Sequence, residues 1–271
     1  MIFETIGNKD NPVVLMLNGS FSTDKGLSAI AERIADSYYV ILPIYDGHHE
    51  NGGIFTTKEE QAKKIIDYLA ENDINHITLL QGVSMGAEIA FTVYKMSEEN
   101  NIEVDHCLFD GGPFYHFPWL MRMFMRAKFR RFVHQAQTGT LDEIMERFSN
   151  NKMIKWMIHG DISPYRWFIE GLAESAPHMS DESVNNESDA CYTFDFPALT
   201  EEAQRKALFI WSTNEPAFSS FKKVKKCYSH SRFGSPGDLG HCGFMARKPD
   251  EYAKFMRAYA EGSNYQMEHI G

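Results

Sequence analysis

Residues 77–90 read Ile-Thr-Leu-Leu-Gln-Gly-Val-Ser-Met-Gly-Ala-Glu-Ile-Ala, and this segment is the strongest indication of the fold in the sequence. The apolar run 77–80 has the character of a buried β-strand. The motif Gly82-Val83-Ser84-Met85-Gly86 follows at once, and the residues after it have a helical pattern. A Gly-x-Ser-x-Gly motif between a strand and a helix predicts a tight turn that exposes its central serine.

The two glycines of this motif have a steric explanation. The turn forces Ser84 into an unfavourable backbone conformation, and side chains two positions before and after it would collide with the strand or the helix. The Ser84 hydroxyl would then lie at the C-terminal edge of a sheet. The N–H of Met85 would lie at a helix N-terminus, where it can stabilise an oxyanion. Ser84 is therefore a candidate nucleophile, and the alternative interpretation is a chance strand-to-helix turn.

Composition restricts the classes of function. The length of 271 residues indicates one domain with room for an inserted lobe, and 43% hydrophobic and 13% aromatic residues allow a large core. A formal net charge of −10 argues against general nucleic-acid binding, because a polyanion would be repelled. The four cysteines are widely spaced without a CxxC pair, which argues against a zinc site and dithiol redox chemistry.

The hydropathy pattern bears on location. The first ten residues have neither a basic start nor a long apolar run, so no signal peptide is expected. No stretch of about 18 apolar residues is present, so no membrane span is expected. The predicted location is the cytoplasm.

Strand-like and helix-like patterns alternate through the first 112 residues. This order predicts an α/β fold: a mostly parallel central sheet with helices on both faces. Strands are expected at 2–6, 13–17, 39–42, 77–80 and 104–109, and helices at 24–35, 58–69 and 85–96.

The pattern changes after Pro113. Residues 114–178 are rich in Met, Trp, Phe and Arg without a convincing strand, and residues 180–196 are polar and turn-rich. Alternation then resumes with a strand at 206–211, a helix-like segment at 218–227 and a helix at 249–260. The predicted organisation is a core of residues 1–112 and 196–271 with an inserted helical cap at 113–195.

The chain resembles α/β-hydrolase-fold proteins with a helical cap, over most of 1–112 and 197–262. In that family the nucleophile is followed by an acid after a late strand and then by a histidine near the chain end. Glu215, in Ser212-Thr-Asn-Glu215-Pro216, has the position of the acid. His241, in a Gly-His pair before the last helix, has the position of the histidine. The resemblance therefore implies that Ser84, Glu215 and His241 form a catalytic triad.

The resemblance also implies an oxyanion hole formed by the N–H groups of Ser20 and Met85, because Leu17-Asn18-Gly19-Ser20 corresponds to the family's His-Gly-x loop. Asn18 replaces the usual His, Ser212 the usual Gly, and Glu215 the commoner Asp. Asp110 is an alternative acid, since it also ends a strand-like run. The other interpretation of Asp110-Gly-Gly-Pro is a simple turn.

The activity that this resemblance implies is that of a serine hydrolase. A serine hydroxyl is a weak nucleophile until an imidazole takes its proton, and a carboxylate must orient that imidazole. The expected reaction is cleavage of an ester, thioester or related acyl bond of a small molecule through an acyl-enzyme, with no cofactor and no metal. Hydrolysis of a carbon–carbon bond, acyl transfer and a non-catalytic ligand-binding role on the same fold stay open, as does the oligomeric state.

Segment 117–133 of the cap combines apolar bulk with five basic residues. The favoured interpretation is a cap helix with a buried Met/Phe face and a solvated basic face. A membrane-surface helix and a lid that pairs an anionic substrate group are the alternatives. A structural loop role is favoured for His48 and His49 over contact with substrate or metal. Candidate pocket residues are Phe21, Trp119, Phe124, Trp156 and Trp167.

Overall fold

The computed structural model describes residues 1–263 and 267–269, and its strands form one eight-stranded sheet of order β1-β3-β2-β4-β5-β6-β7-β8. The two edge strands, β1 and β8, are antiparallel to their neighbours, and all other neighbours are parallel. The strands are β1 Ile2–Ile6, β2 Val13–Leu17, β3 Tyr39–Ile44, β4 His76–Val83, β5 Glu103–Asp110, β6 Ala207–Ile210, β7 Arg232–Ser235 and β8 Glu268–His269.

Helices connect most of the successive strands from β2 onward. They are α1 Lys25–Ile34, α2 Lys58–Glu71, α3 Met85–Glu99, α4 Trp119–His134, α5 Leu141–Ser149, α6 Lys152–Ile158, α7 Arg166–Ser175, α8 Asp181–Tyr192, α9 Glu201–Arg205, α10 Phe221–Cys227, α11 Gly243–Arg247 and α12 Pro249–Ala260. Short 3₁₀ turns lie at Ser163–Tyr165, Ala176–His178 and Pro216–Ser220.

Both faces of the sheet are covered by helices, which confirms the predicted fold class. On β2, Leu15 and Leu17 belong to a core cluster shared with α2, α3 and α10, whereas Val14 and Met16 belong to a cluster shared with α1 and α12. Successive residues of a strand point to opposite faces. A strand that is buried on both faces therefore reads as a continuous apolar run.

Helices α4 to α8 occupy the connection between β5 and β6, and the described part of this connection contains no strand longer than the single bridge between His116 and Thr193. The two ends of the connection lie side by side there, because Phe117 N–H donates to Tyr192 O at 2.9 Å and Phe194 N–H donates to Tyr115 O at 2.8 Å. The helical content agrees with the expected cap, and the domain boundaries at 113 and 195 stay a prediction.

The turn-rich interpretation of residues 180–196 is wrong, because helix α8 occupies most of the segment. Ser180 caps this helix by accepting the N–H of Ser183. Its buried face includes Val184, Glu187 and Cys191 at helical spacing. One of these three positions is a glutamate, so the apolar periodicity that identifies a helix is broken. Strands β7 and β8 were also missed: β7, Arg-Phe-Gly-Ser, lacks the continuous apolar run that marks the equally short β6, and β8 has only two residues.

Within residues 1–263 and 267–269, no helix is both long and apolar enough to cross a bilayer. The cytoplasmic location stays a prediction.

Candidate active site

Ser84 lies at the junction of β4 and α3 with φ 54° and ψ −124°, a conformation that a non-glycine residue rarely adopts. A Cβ atom at Gly82 would lie 2.2 Å from Gly86 O, and one at Gly86 would lie 2.3 Å from the carbonyl oxygens of Leu17 and Asn18. Each of these contacts is a steric clash, so both positions of the motif require glycine. The structure thus has the tight turn that the sequence predicts.

A series of hydrogen bonds connects Ser84 to a buried carboxylate. Ser84 Oγ lies 3.0 Å from His241 Nε2, and His241 Nδ1 makes a short hydrogen bond with Glu215 Oε2. Glu215 Oε1 also accepts the N–H of Ser212 at 2.8 Å. The side chain of Glu215 is 1% exposed and that of His241 is 16% exposed. The structure therefore brings together the three residues of the expected triad.

The loop that carries His241 is held from two sides. His241 N–H donates to Met157 O of α6 at 3.0 Å. Gly240 N–H donates to Asn214 Oδ1, and Gly240 O accepts the hydroxyl of Ser212, both at 2.8 Å. One contact thus comes from α6, in the connection between β5 and β6. The other two come from the loop after β6, which also carries Glu215.

The surroundings of His241 favour its protonated form. Burial lowers the pKa of an imidazole, but Cys242 and the Glu215 carboxylate act in the opposite direction, and the pKa of His241 is raised above its usual range. Cys242 contributes only where its thiol is ionised, and burial raises the pKa of that thiol. Near neutral pH, Glu215 is therefore the group that stabilises the imidazolium.

Asp110 ends β5 beside the site, but in the described structure no hydrogen bond connects its carboxyl group to His241. Its Oδ2 has no hydrogen-bond partner, and burial, with a smaller contribution from Glu215, raises the pKa of this carboxyl to about 7. The contact with the nucleophile comes from the backbone, because Asp110 O accepts the N–H of Ser84 at 2.8 Å. The geometry favours Glu215 over Asp110 as the partner of the imidazole.

The loop after β2 passes directly against the nucleophile, since a Cβ atom at Gly19 would lie 3.1 Å from Ser84 Cβ. Across residues 1–263 and 267–269, neither Ser20 N–H nor Met85 N–H donates to a protein acceptor. Neither donor is therefore occupied by the protein itself. Asn18 is fully buried with neither side-chain polar atom hydrogen-bonded, while Tyr45 Oη donates to its carbonyl oxygen at 3.1 Å.

The candidate pocket residues fall into two groups. Phe21 is buried and packs edge-on against Phe129 of α4, with ring centroids 5.1 Å apart, and Trp167 is partly buried and stacks on Phe168. The remaining three, Trp119, Phe124 and Trp156, are each more than half exposed to solvent. A pocket role for the five stays a prediction.

The expected buried Met/Phe face is wrong for the first half of α4, where Met121, Met123 and Phe124 are exposed. The basic side chains of this helix are directed partly toward α8 rather than wholly to solvent. Arg126 donates to both carboxylate oxygens of Asp189, Arg122 lies 3.6 Å from the same carboxylate, and Arg130 donates to Asn185. These contacts give the arginines a role in joining two helices of the connection.

No sequence motif indicates Glu187, whose carboxylate is fully buried on α8 and lies 2.6 Å from His48 Nε2. Because the two residues are 139 positions apart, no local pattern indicates this contact. His48 was expected to have a structural loop role, and its ring is indeed fully buried. The residues that the structure describes contain no group of three or more His, Cys, Asp or Glu that could hold a metal ion.

No protein-family model matches this sequence, and no curated protein matches it. Solved structures do match in three dimensions. MenH from S. aureus superposes with a TM-score of 0.74 at 14% identity, covering 96% of this chain and 98% of that one. A thermophilic esterase from Thermogutta terrifontis gives 0.71 at 15%, covering 96% and 93%. The enol-lactonase from Burkholderia xenovorans LB400 gives 0.67 at 13%, covering 96% of both. This protein therefore has the α/β-hydrolase fold.

Proposed function

We propose that this protein is a serine hydrolase that cleaves an ester, thioester or related acyl bond of a small molecule through an acyl-enzyme. The observation that carries the proposal is the hydrogen-bonded series from Ser84 Oγ through His241 to the buried carboxylate of Glu215. It occurs at a strained strand-to-helix turn, which is the setting of a nucleophilic serine on this fold. The esterases and the lactonase among the similar structures are consistent with this activity.

The first half of the reaction uses these three residues in order. His241 Nε2 accepts the proton of Ser84 as Oγ attacks the acyl carbon, and Glu215 stabilises the imidazolium that results. The N–H groups of Ser20 and Met85 bind the developing oxyanion, each contributing about 3 kcal/mol by analogy with other oxyanion holes. The imidazolium then protonates the leaving group, and Ser84 carries the acyl group.

Solvent access favours hydrolysis as the second half of the reaction. Ser84 is half-buried and the His241 side chain is 16% exposed, so water can approach the acyl carbon beside a general base. His241 would take a proton from this water, and collapse of the second tetrahedral intermediate would release the acid. Acyl transfer and carbon–carbon bond hydrolysis use the same triad and are alternative outcomes of the substrate test.

The proposal is tested with a fluorophosphonate and a panel of p-nitrophenyl esters of increasing acyl length. Wild-type protein should form one covalent adduct, on Ser84, and should turn over at least one ester. Ser84→Ala should abolish both the adduct and the turnover. If wild-type protein remains unlabelled and inactive on every ester, the hydrolase assignment fails and a ligand-binding role on this fold is favoured.

A further inference from the structure

A buried ion pair lies behind the loop that carries the candidate oxyanion donor. His48, in the loop after β3, and Glu187, on α8, are both fully buried, and His48 Nε2 lies 2.6 Å from Glu187 Oε1. The triad does not include either residue. Burying two ionisable groups costs free energy unless they are paired and hydrogen-bonded, so their surroundings indicate what the pair does.

The hydrogen bonds of the pair define its protonation. His48 Nδ1 lies 3.0 Å from Ser22 O, which can only accept, so Nδ1 carries a hydrogen. Glu187 Oε2 accepts the N–H of Phe21 at 2.9 Å. Burial opposes charge on the imidazole, but Glu187, with a smaller contribution from Asp46, raises the pKa of His48. An imidazolium that donates from both nitrogens satisfies every contact.

These bonds fix the backbone of the loop just beyond Ser20. Phe21 has φ 65°, a left-handed conformation that a bulky residue keeps only where its surroundings hold it. Its N–H donates to Glu187, its C=O accepts the hydroxyl of Ser175 on α7, and the next carbonyl, of Ser22, accepts from His48. Three of the four backbone polar groups of Phe21 and Ser22 are thus held by side chains from outside the loop.

We propose that Glu187 and His48 are positioning residues that hold the Ser20 N–H where it can bind the oxyanion of the transition state. The inference rests on the proposed hydrolase function and adds a role for the helical connection. Residues of α7 and α8 would then set the geometry of the oxyanion hole through the backbone of Phe21. Oxyanion donors act only when they are already in place as charge develops, so a displaced loop should affect turnover more than substrate binding.

The first experiment replaces the buried carboxylate by an apolar side chain of similar length, Glu187→Met. We expect kcat for the best p-nitrophenyl ester to fall about tenfold to a hundredfold, with KM within about twofold of wild type. Butylboronic acid supplies a second readout, because its boron binds Ser84 Oγ, the serine proton passes to His241 and the tetrahedral adduct places an oxygen in the oxyanion hole. Its inhibition constant should rise by a factor similar to the loss of kcat.

The conservative variant Glu187→Gln should retain kcat within about threefold. Its amide oxygen can accept from Phe21 N–H, and its amide nitrogen can donate to Nε2 of a neutral His48. If kcat is retained in Glu187→Gln and falls in Glu187→Met, the effect of residue 187 comes from its hydrogen bonds to the loop and not from packing alone.

A matched control is Glu88→Met. Glu88 is also fully buried on a helix, and its Oε1 accepts the N–H of Phe114 at 2.9 Å, where Phe114 has φ 43°. Both methionine variants leave a left-handed phenylalanine without its acceptor, so both should lose stability. Only Glu187→Met should lose kcat and boronate affinity together.

The outcomes separate this inference from the function on which it rests. If the wild-type protein shows neither labelling nor turnover, both the hydrolase function and the positioning role are contradicted. Three results with an active wild type overturn the positioning role alone. They are an unchanged kcat in Glu187→Met, a raised KM with unchanged kcat, and a loss of kcat no larger than that in Glu88→Met. If Glu187→Met does not fold, Ser175→Ala releases the other backbone group of Phe21. It should lower kcat and boronate affinity in parallel by a smaller factor, and unchanged values would overturn the inference.

Discussion

The short contact between His241 Nδ1 and Glu215 determines which way the imidazole faces. Because Nδ1–H donates to the carboxylate, Nε2 is the nitrogen left to accept the proton of Ser84, 3.0 Å away. Asp110 lies at the same edge of the sheet and contributes its backbone carbonyl to Ser84 rather than its side chain to the imidazole. Two carboxyl groups that look alike in the sequence therefore have different geometries.

We expect Glu215→Gln to lower kcat for an ester by about 10³- to 10⁴-fold, because the amide no longer enforces the tautomer or stabilises the imidazolium. Asp110→Asn keeps the backbone carbonyl and should lower kcat by less than about tenfold. Steady-state kinetics of both variants on one p-nitrophenyl ester make the comparison. A larger loss in Asp110→Asn would identify Asp110 as the acid.

The pH dependence of kcat/KM gives a second readout for Glu215→Gln. Turnover needs neutral His241, so kcat/KM should fall as pH drops through the pKa of His241. Glu215 raises that pKa, so in Glu215→Gln the burial of the imidazole should move the acid limb to lower pH. His106→Gln, at a histidine outside the site, should leave the limb where it is. An unshifted limb in Glu215→Gln would contradict the assigned pair.

The turn between β4 and α3 also fixes the distance between α3 and β2. We expect Gly86→Ala to destabilise the fold by about 1–3 kcal/mol, because its Cβ would overlap the carbonyl oxygens of Leu17 and Asn18. A displacement of β2 should also move the loop that carries Ser20, and kcat should therefore fall. Urea unfolding and ester kinetics measure the two effects.

Ala90→Gly is a control for this change in the same helix. It should lower stability by about 1 kcal/mol through helix propensity, with a further loss from the removed methyl group, because Ala90 is fully buried. Since it adds nothing against β2, it should leave kcat close to wild type. A Gly86→Ala protein with wild-type stability and kcat would contradict the packing argument.

The sequence predicts those parts of the fold that follow local rules. The tight turn at Ser84 and the alternation of strands and helices up to Asp110 depend on spacing within short segments, and the structure has both. Helix α8 was missed because Glu187 occupies part of its buried face, so its pattern is not apolar. The contact of Glu187 with His48 depends on the folding of residues 139 positions apart, which no window of sequence contains.

Two buried carboxyl groups, of Glu88 and Asp110, make the free energy of unfolding of the protein depend on pH. Burial raises the pKa of Glu88 to about 8 and that of Asp110 to about 7 in the folded protein, from 4.5 and 3.8 for the unperturbed groups. At a pH between the unperturbed pKa and the raised pKa of either group, the folded state binds more protons than the unfolded state. Stability therefore decreases as pH rises, by up to about 1.4 kcal/mol per pH unit for each group.

Glu88→Gln should remove one of these contributions. The amide has no proton to lose and can still accept the N–H of Phe114, so the fold should be retained. We expect the free energy of unfolding of wild type to decrease more steeply than that of the variant between pH 5 and 8. Because no hydrogen bond in the described structure joins the Glu88 side chain to the loop after β2 or to His241, ester kcat should stay close to wild type. Urea titrations at pH 5, 6, 7 and 8 measure the difference in slope, and parallel curves for the two proteins would show that Glu88 is not a neutral buried acid near pH 7.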